Sequence, residues 1–231
     1  MDILYTNKEY VEKLVKISRD YPSYYAWGAF GAPATYKNKT RYKVPSTVSS
    51  DTFLFDCSGF AYKALPWGWC GDYTKTYGGA IYKKIPELET SNILAICSDV
   101  SSDFSQIAIG EILYMKGHVG IYVGNGICIE CTGKWTNGIL LSEVTNTKIK
   151  TGLTYKRKWL KHGKLPFINY CEQAPAMETT YRKYVVQPRD TLGKIAREYL
   201  GSFYRYKEIM AINHLTTTVI HPKQILWIPK E

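Results

Sequence analysis

Two hydrophobic periods divide the chain. From Thr6 to roughly Asp20 the spacing predicts a helix, with Val11, Leu14, Val15 and Ser18 on one face. Thr6 and Glu9 supply a capping box at its start. Residues 21–55 are rich in Gly, Pro, Ser, Thr and Tyr and predict a loop. Asp56-Cys57-Ser58-Gly59 then opens an apolar helical stretch over 60–65, stopped by Pro66. A second loop carries Trp67, Trp69 and the Gly78-Gly79 pair, and a short helix is expected over 92–98. From Gly110 the period becomes two. Glu111–Met115, His118–Val123, Ile127–Thr132, Gly138–Val144 and Lys156–Trp159 are predicted strands. Asn125-Gly126 between the second and third is a hairpin signal. Helices followed by an antiparallel meander specify an α+β fold.

Residues 169–182 lose both periods and read as a linker. The pattern restarts beyond them. A strand at Tyr184–Gln187, helices at Asp190–Leu200 and Tyr204–Asn213, and a strand at Gln224–Ile228 make a small βααβ unit. The expected organisation is a main domain over 1–168, a linker over 169–182 and a second domain over 183–231.

A length of 231 residues suits one or two domains, and 45% hydrophobic residues supply a core. No apolar run reaches the roughly 18–20 residues of a spanning helix, so membrane insertion is not expected. The N-terminal apolar run is too short for a signal-peptide core, and synthesis in a cytoplasm is expected. The net charge of +10 suits a polyanionic partner such as nucleic acid, an anionic membrane or a bacterial cell wall. Its basic residues are scattered, with small clusters at 37–43 and 156–161 rather than an arm, which disfavours nucleic acid. Twenty tyrosines offer faces that stack on sugars and bases alike. Of the six cysteines, only Cys128 and Cys131 are close, and a four-thiolate zinc site needs a second pair. Those two read as packing residues on opposite faces of a strand. Neither a metal nor a cofactor is expected.

Chemistry concentrates at Cys57, which sits where a loop enters a helix. Unpaired N–H groups and the helix dipole there are expected to lower a thiol's pKa and make it a nucleophile for acyl transfer. A buried structural cysteine is the plainer alternative. Among the histidines, only His118 lies in a strand beside small residues, Gly117 and Gly120, which leave room for a substrate. The hairpin at Asn125-Gly126 brings Glu130 near the level of His118, where a carboxylate can accept the Nδ1 proton and orient the ring. Taken singly, Glu130 also reads as a solvated strand residue and His118 as a satisfied core histidine.

Asp56-Cys57-Ser58-Gly59-Phe60 and the segment from Gly117-His118-Val119-Gly120 to Asn125-Gly126 resemble the signatures of the NlpC-type cysteine peptidases, papain-like enzymes that cut peptide bonds in bacterial peptidoglycan. Tyr25-Ala26-Trp27-Gly28 matches that family's aromatic–glycine motif. The resemblance implies Cys57 as nucleophile, His118 as general base and Tyr25 as a hydroxyl donor near the oxyanion, with Asp56, Ser58, Trp27 and Gly117 around the substrate. Glu130 stands where the family usually has His, and Ala29–Phe55 is an insertion. The related CHAP-type amidases share the layout, so amidase is the rival activity. Residues 183–229 resemble a LysM module, which implies binding of N-acetylglucosamine glycan at Asp190, Thr191, Leu192, Asn213, Ile220 and His221. Arg189 replaces the usual Gly before Asp-Thr. Together these resemblances imply a peptidoglycan hydrolase that recognises stem peptide and glycan, delivered to the wall by a holin or carried in a phage virion. The alternative is a non-catalytic baseplate or tail-hub protein with phage tail partners.

Overall fold

The computed structural model describes residues 1–81, 84–170, 181–213, 215 and 217–230. A two-residue strand β1 (Tyr5–Thr6) leads into helix α1 (Asn7–Asp20). The capping box forms: the Thr6 hydroxyl accepts from Glu9 N, and the Glu9 carboxylate accepts from Thr6 N. Tyr10, Val11, Leu14, Val15 and Ile17 make the buried face. Burying each such side chain contributes about 1.5–3 kcal/mol. Ser18 is only half-buried, its hydroxyl donating to Val15 O.

Residues 21–55 are not a loop. They hold β2 (Ser23–Tyr25), β3 (Phe30–Pro33), helix α2 (Tyr36–Tyr42) and β4 (Phe53–Phe55). The strands form a sheet of order β2-β4-β3, with β2 parallel and β3 antiparallel to β4. Three or four residues are too few to display a period, and every β4 side chain is buried, so alternation is lost. The next stretch is helical as expected, but Gly59–Lys63 is wound as a π-helical turn, with Ala64 N donating to Gly59 O. Only glycine fits at 59, because a Cβ there would lie 2.0 Å from Ala29 O.

After helix α3 (Thr90–Ala95), which ends before the expected 98, comes a seven-stranded sheet. Its strands are β5 (Ser98–Ser101), β6 (Ile112–Met115), β7 (His118–Gly124), β8 (Ile127–Thr132), β9 (Gly138–Val144), β10 (Lys156–Arg157) and β11 (Lys161–Lys164), in the order β10-β9-β8-β7-β6-β11-β5. β6 to β9 form the expected antiparallel meander. The fifth predicted strand departs from it, being two residues long and parallel to β9. β5 and β11 carry no apolar alternation and were not expected. A buried polar pair sits there instead: His162 Nδ1 bonds Glu111, and Nε2 donates to Asp103 O at 2.8 Å. Cys128 and Cys131 pack into different apolar clusters on opposite faces of β8.

Strand β12 (Ile168–Asn169) pairs parallel with β1. The C-terminal unit is βααβ as expected: β13 (Tyr181–Val185), α4 (Leu192–Leu200), α5 (Tyr206–Ile212) and β14 (Ile225–Pro229), with β13 and β14 antiparallel. Asn169, Tyr181 and Arg182 therefore belong to strands rather than to a linker, and 171–180 lie outside the described residues. The unit has its own core around Ile195, Ala196, Ile209 and Ile228. However, its Tyr181, Ile212 and Trp227 are buried in the same apolar cluster as Tyr10 and Leu14 of α1.

Two consequences are measurable. Because the shared cluster joins the two parts, calorimetry of the full chain should give one cooperative transition. Trp227→Ala should lower stability by about 3–5 kcal/mol, and two separate transitions would show that the parts fold independently. The second concerns pH. Both His162 ring nitrogens face acceptors, an arrangement that favours the protonated ring. Burial alone pulls its pKa down, but Glu111 and the Asp103 carbonyl outweigh burial and raise it. A raised native pKa gives stability that is complete below the ordinary histidine value of about 6.5 and is lost as pH rises through the native value. Melting temperature should fall over that window, and His162→Gln should flatten the dependence.

Candidate functional site

The site is built on the face of the meander that carries His118. Met115 pairs with His118 across a two-residue turn in which Gly117 has φ +74°, so His118 opens β7. Asn125 and Gly126, both at positive φ, turn β7 into β8 as the hairpin signal requires. The register Ile121↔Ile129 places Gly120 opposite Glu130, and His118 diagonally from it on the same face. Gly120 serves packing, not substrate access: a Cβ there would lie 2.5 Å from Cys128 Sγ. Gly117 has open space around it.

Glu130 is fully buried and completely engaged. His118 Nε2 lies 2.6 Å from Oε2, and Ser142 Oγ donates to Oε1 at 2.5 Å. Arg157 donates through Nε to Oε1 at 3.0 Å and through Nη2 to Oε2 at 2.7 Å. Burial pushes this carboxyl's pKa up, but the bonds from His118 and Arg157 prevail and hold it below the ordinary value. Glu130 is therefore a carboxylate and not a solvated strand residue. The expected contact is corrected in one respect: Nε2, not Nδ1, faces Glu130. Nδ1 is the ring nitrogen turned away from Glu130. Trp159 stacks on His118, with centroids 5.6 Å apart and planes at 13°. The Arg157 guanidinium lies 4.6 Å from the Trp135 ring centroid and 5.5 Å from that of Trp159.

Cys57 is 3% exposed, and its thiol donates to Gly117 O at 4.0 Å, beside His118. Its pKa is not lowered as the helix-start argument expects. Burial and the Asp56 carboxylate push it up to about 11, against the amides of Val119, Ser58 and Cys57. Asp56 caps the turn that carries Cys57, accepting from Gly28 N, Ser58 Oγ and Gly59 N. Tyr25 comes alongside because β2 pairs with β4, Tyr25 against Phe55. Burial and the neighbouring Cys57 and Asp56 raise its phenol well above the usual value, which keeps it a hydroxyl donor. A cleft of about 570 Å³ opens over Cys57, between Trp27, Gly28 and Gly117 on one wall and 87–90 on the other. Trp27 is 77% exposed at this cleft, and Asp56 and Ser58 line it. Among the described residues, no cluster of His, Cys, Asp and Glu is arranged to hold a metal ion.

The expected glycan residues separate into two kinds. Leu192 is buried in the small core, and Asn213 is a clamp: its amide donates to Ile209 O and Trp227 O and accepts from Trp227 N. Leu192 is thus structural, which corrects its placement in a groove; Asn213 is half-buried and, besides acting as a clamp, lines a crevice with Leu215 and Gln224. Asp190 accepts from the Tyr184 hydroxyl and from Gln187 N, and Thr191 caps α4. Thr191 and His221 are exposed, and Ile220 is half-buried against the small core.

Residues 184–229 match the family model of the LysM domain, so the βααβ unit is a LysM domain. Over 67 residues the chain is 39% identical to the Chitin elicitor-binding protein of Oryza sativa subsp. japonica, across 29% of this chain and 19% of that protein. The matched segment thus spans about a fifth of that curated relative's length. LysM domains bind peptidoglycan or chitin glycans.

The Glu130–Arg157 pair is testable by stability alone. Removing one buried partner strands the other charge, so Glu130→Gln or Arg157→Met should each cost about 3–5 kcal/mol. The double variant should recover most of that loss, giving a large coupling energy in a denaturation cycle. Additive losses would show that the two side chains do not depend on each other.

Proposed function

We propose that this protein is a cysteine-dependent peptidoglycan hydrolase that cuts an amide bond of the stem peptide and is held on wall glycan by its LysM domain. The observation that carries the reading is that the Cys57 thiol, at a helix start, reaches the carbonyl of Gly117, the residue before a His118 whose ring is fixed by a buried carboxylate. The mechanism follows from those positions. The Cys57 thiol gives its proton to His118 Nδ1 as Sγ attacks the amide carbon. Because its pKa lies near 11, the thiol needs this base at neutral pH. Glu130, opposite on Nε2, stabilises the imidazolium that forms. The Cys57 N–H and the Tyr25 hydroxyl hold the oxyanion. As the C–N bond breaks, the leaving amine takes the proton from His118. Water, deprotonated by His118, then cleaves the thioester and restores the thiol.

The site of action in this reading is the bacterial cell wall, reached by holin release or on a phage virion. The +10 charge suits its teichoic acids and carboxylates.

Cys57→Ala should abolish the release of new chain ends from purified peptidoglycan and leave wall binding intact. Activity should survive chelators and disappear on thiol alkylation. Mass spectrometry of the products names the bond: a new stem-peptide amine marks an endopeptidase, and a stem peptide freed from muramic acid marks an amidase. Undiminished release by the Cys57→Ala chain would overturn the reading.

A further inference from the structure

The seam between the LysM domain and the main domain is bordered by two crevices that no step above uses. One, of about 230 Å³, lies between 152–155 of the main domain and Thr217, Gln224 and Ile225 of the LysM domain. The other, of about 380 Å³, lies between Tyr21 and Ser23 on one side and Thr136, Asn137 and Met210 on the other. Leu215 lines both. Among the described residues lining them there is no carboxylate, and Arg19 is the one charged side chain.

What remains is hydroxyls, amides, aliphatic surface and the rings of Tyr21 and Tyr155, the mixture that suits an uncharged sugar with one apolar face. The Gln224 amide oxygen is taken by His221 N, which leaves its NH2 as a donor. Each end of the seam leads somewhere. Thr217 and Gln224 stand in the loop before β14, inside the segment that matches the LysM family. At the other end, a Cβ built on Gly133 would touch both Asn137 Oδ1, at 3.5 Å, and the Tyr25 ring, at 3.2 Å. Ser23 is two residues from Tyr25 on β2. The seam therefore runs from the LysM loop to the edge of the Cys57 site.

We infer that this seam is a saccharide track: a strand of linked N-acetylhexosamines engaged by the LysM loop continues past Leu215 to the 136–138 turn. The binding claim is independent of catalysis. Its consequence, that a stem peptide borne by the strand arrives beside Cys57, rests on the hydrolase reading.

The test uses the full chain carrying Cys57→Ala, titrated calorimetrically with the trimer and the hexamer of N-acetylglucosamine. A continuous track makes the hexamer bind about 10-fold tighter than the trimer, since the added sugars bind with the LysM end already held. Thr154→Trp fills one crevice. Asn137→Gly removes a side chain from the other and keeps the left-handed backbone, φ 59°, at that position. Each should remove most of the hexamer's advantage and leave trimer affinity unchanged. Equal affinity for the two oligomers, no hexamer binding, or variants that weaken both alike or neither would each overturn the track. These outcomes do not depend on peptide cleavage, so an inactive enzyme with a length-dependent site remains distinguishable from an active one without it.

Discussion

One buried carboxylate constrains the working face of the sheet. A carboxylate with no exposure is expensive unless each of its oxygens is paired, and the cost of leaving it alone is several kcal/mol. Four neighbouring strands share the task. Glu130 comes from β8, His118 from β7, Ser142 from β9 and Arg157 from β10. The unusual parallel attachment of the two-residue β10 is explained by this demand, since it brings Arg157 over Glu130. Trp135 and Trp159 then cover the guanidinium, and Trp159 also backs the imidazole. Ring position, carboxylate charge and strand pairing are thus one structure.

Cys57 is arranged on a different principle. Nothing beside Cys57 lowers its pKa enough to make a standing thiolate, and Asp56, which the π-helical turn needs as its cap, pushes the thiol up. The turn thus gains its geometry at the expense of thiol acidity. In the proposed mechanism a base must compensate, and the charge that would strengthen that base is Glu130. That reading would tie the two halves of the site together, with the helix start placing the sulfur and the sheet supplying the proton acceptor.

Much of this was legible in the sequence, and the failures have physical causes. The capping box, the Asn125-Gly126 hairpin and the approach of Glu130 to His118 follow from local rules that tertiary packing did not override. β2, β3 and β4 are invisible in the sequence because three or four residues are too few to show a period, and β4, buried throughout, has no alternation. β11 escapes sequence reading because its inward residue, His162, pairs with Glu111 rather than with an apolar side chain, and β5 because it has no buried residue to set a period. Arg157 was hidden by its company. Residues 156–161 read as a basic surface cluster, yet the segment alternates, with Lys156 and Lys158 exposed and Arg157 and Trp159 buried. Period two was present, but the inward residue carried a charge whose partner lies on another strand. Leu192 falls in the core rather than the glycan groove because a motif records position but not whether a side chain points to ligand or to core.

The attachment of the LysM domain changes what a binding domain does for its neighbour. A domain on a free tether only raises local concentration, with an effect set by linker length. Here Tyr181, Ile212 and Trp227 enter the core that α1 builds, so the glycan-binding loops stand at a fixed offset from Cys57. In the proposed reading such an offset would select: stem peptides at the right distance along a bound strand would reach the cleft, and the others would be held without being presented. Rigid docking would then exchange reach for register, and the neutral seam between the domains lies along the path proposed for such a strand.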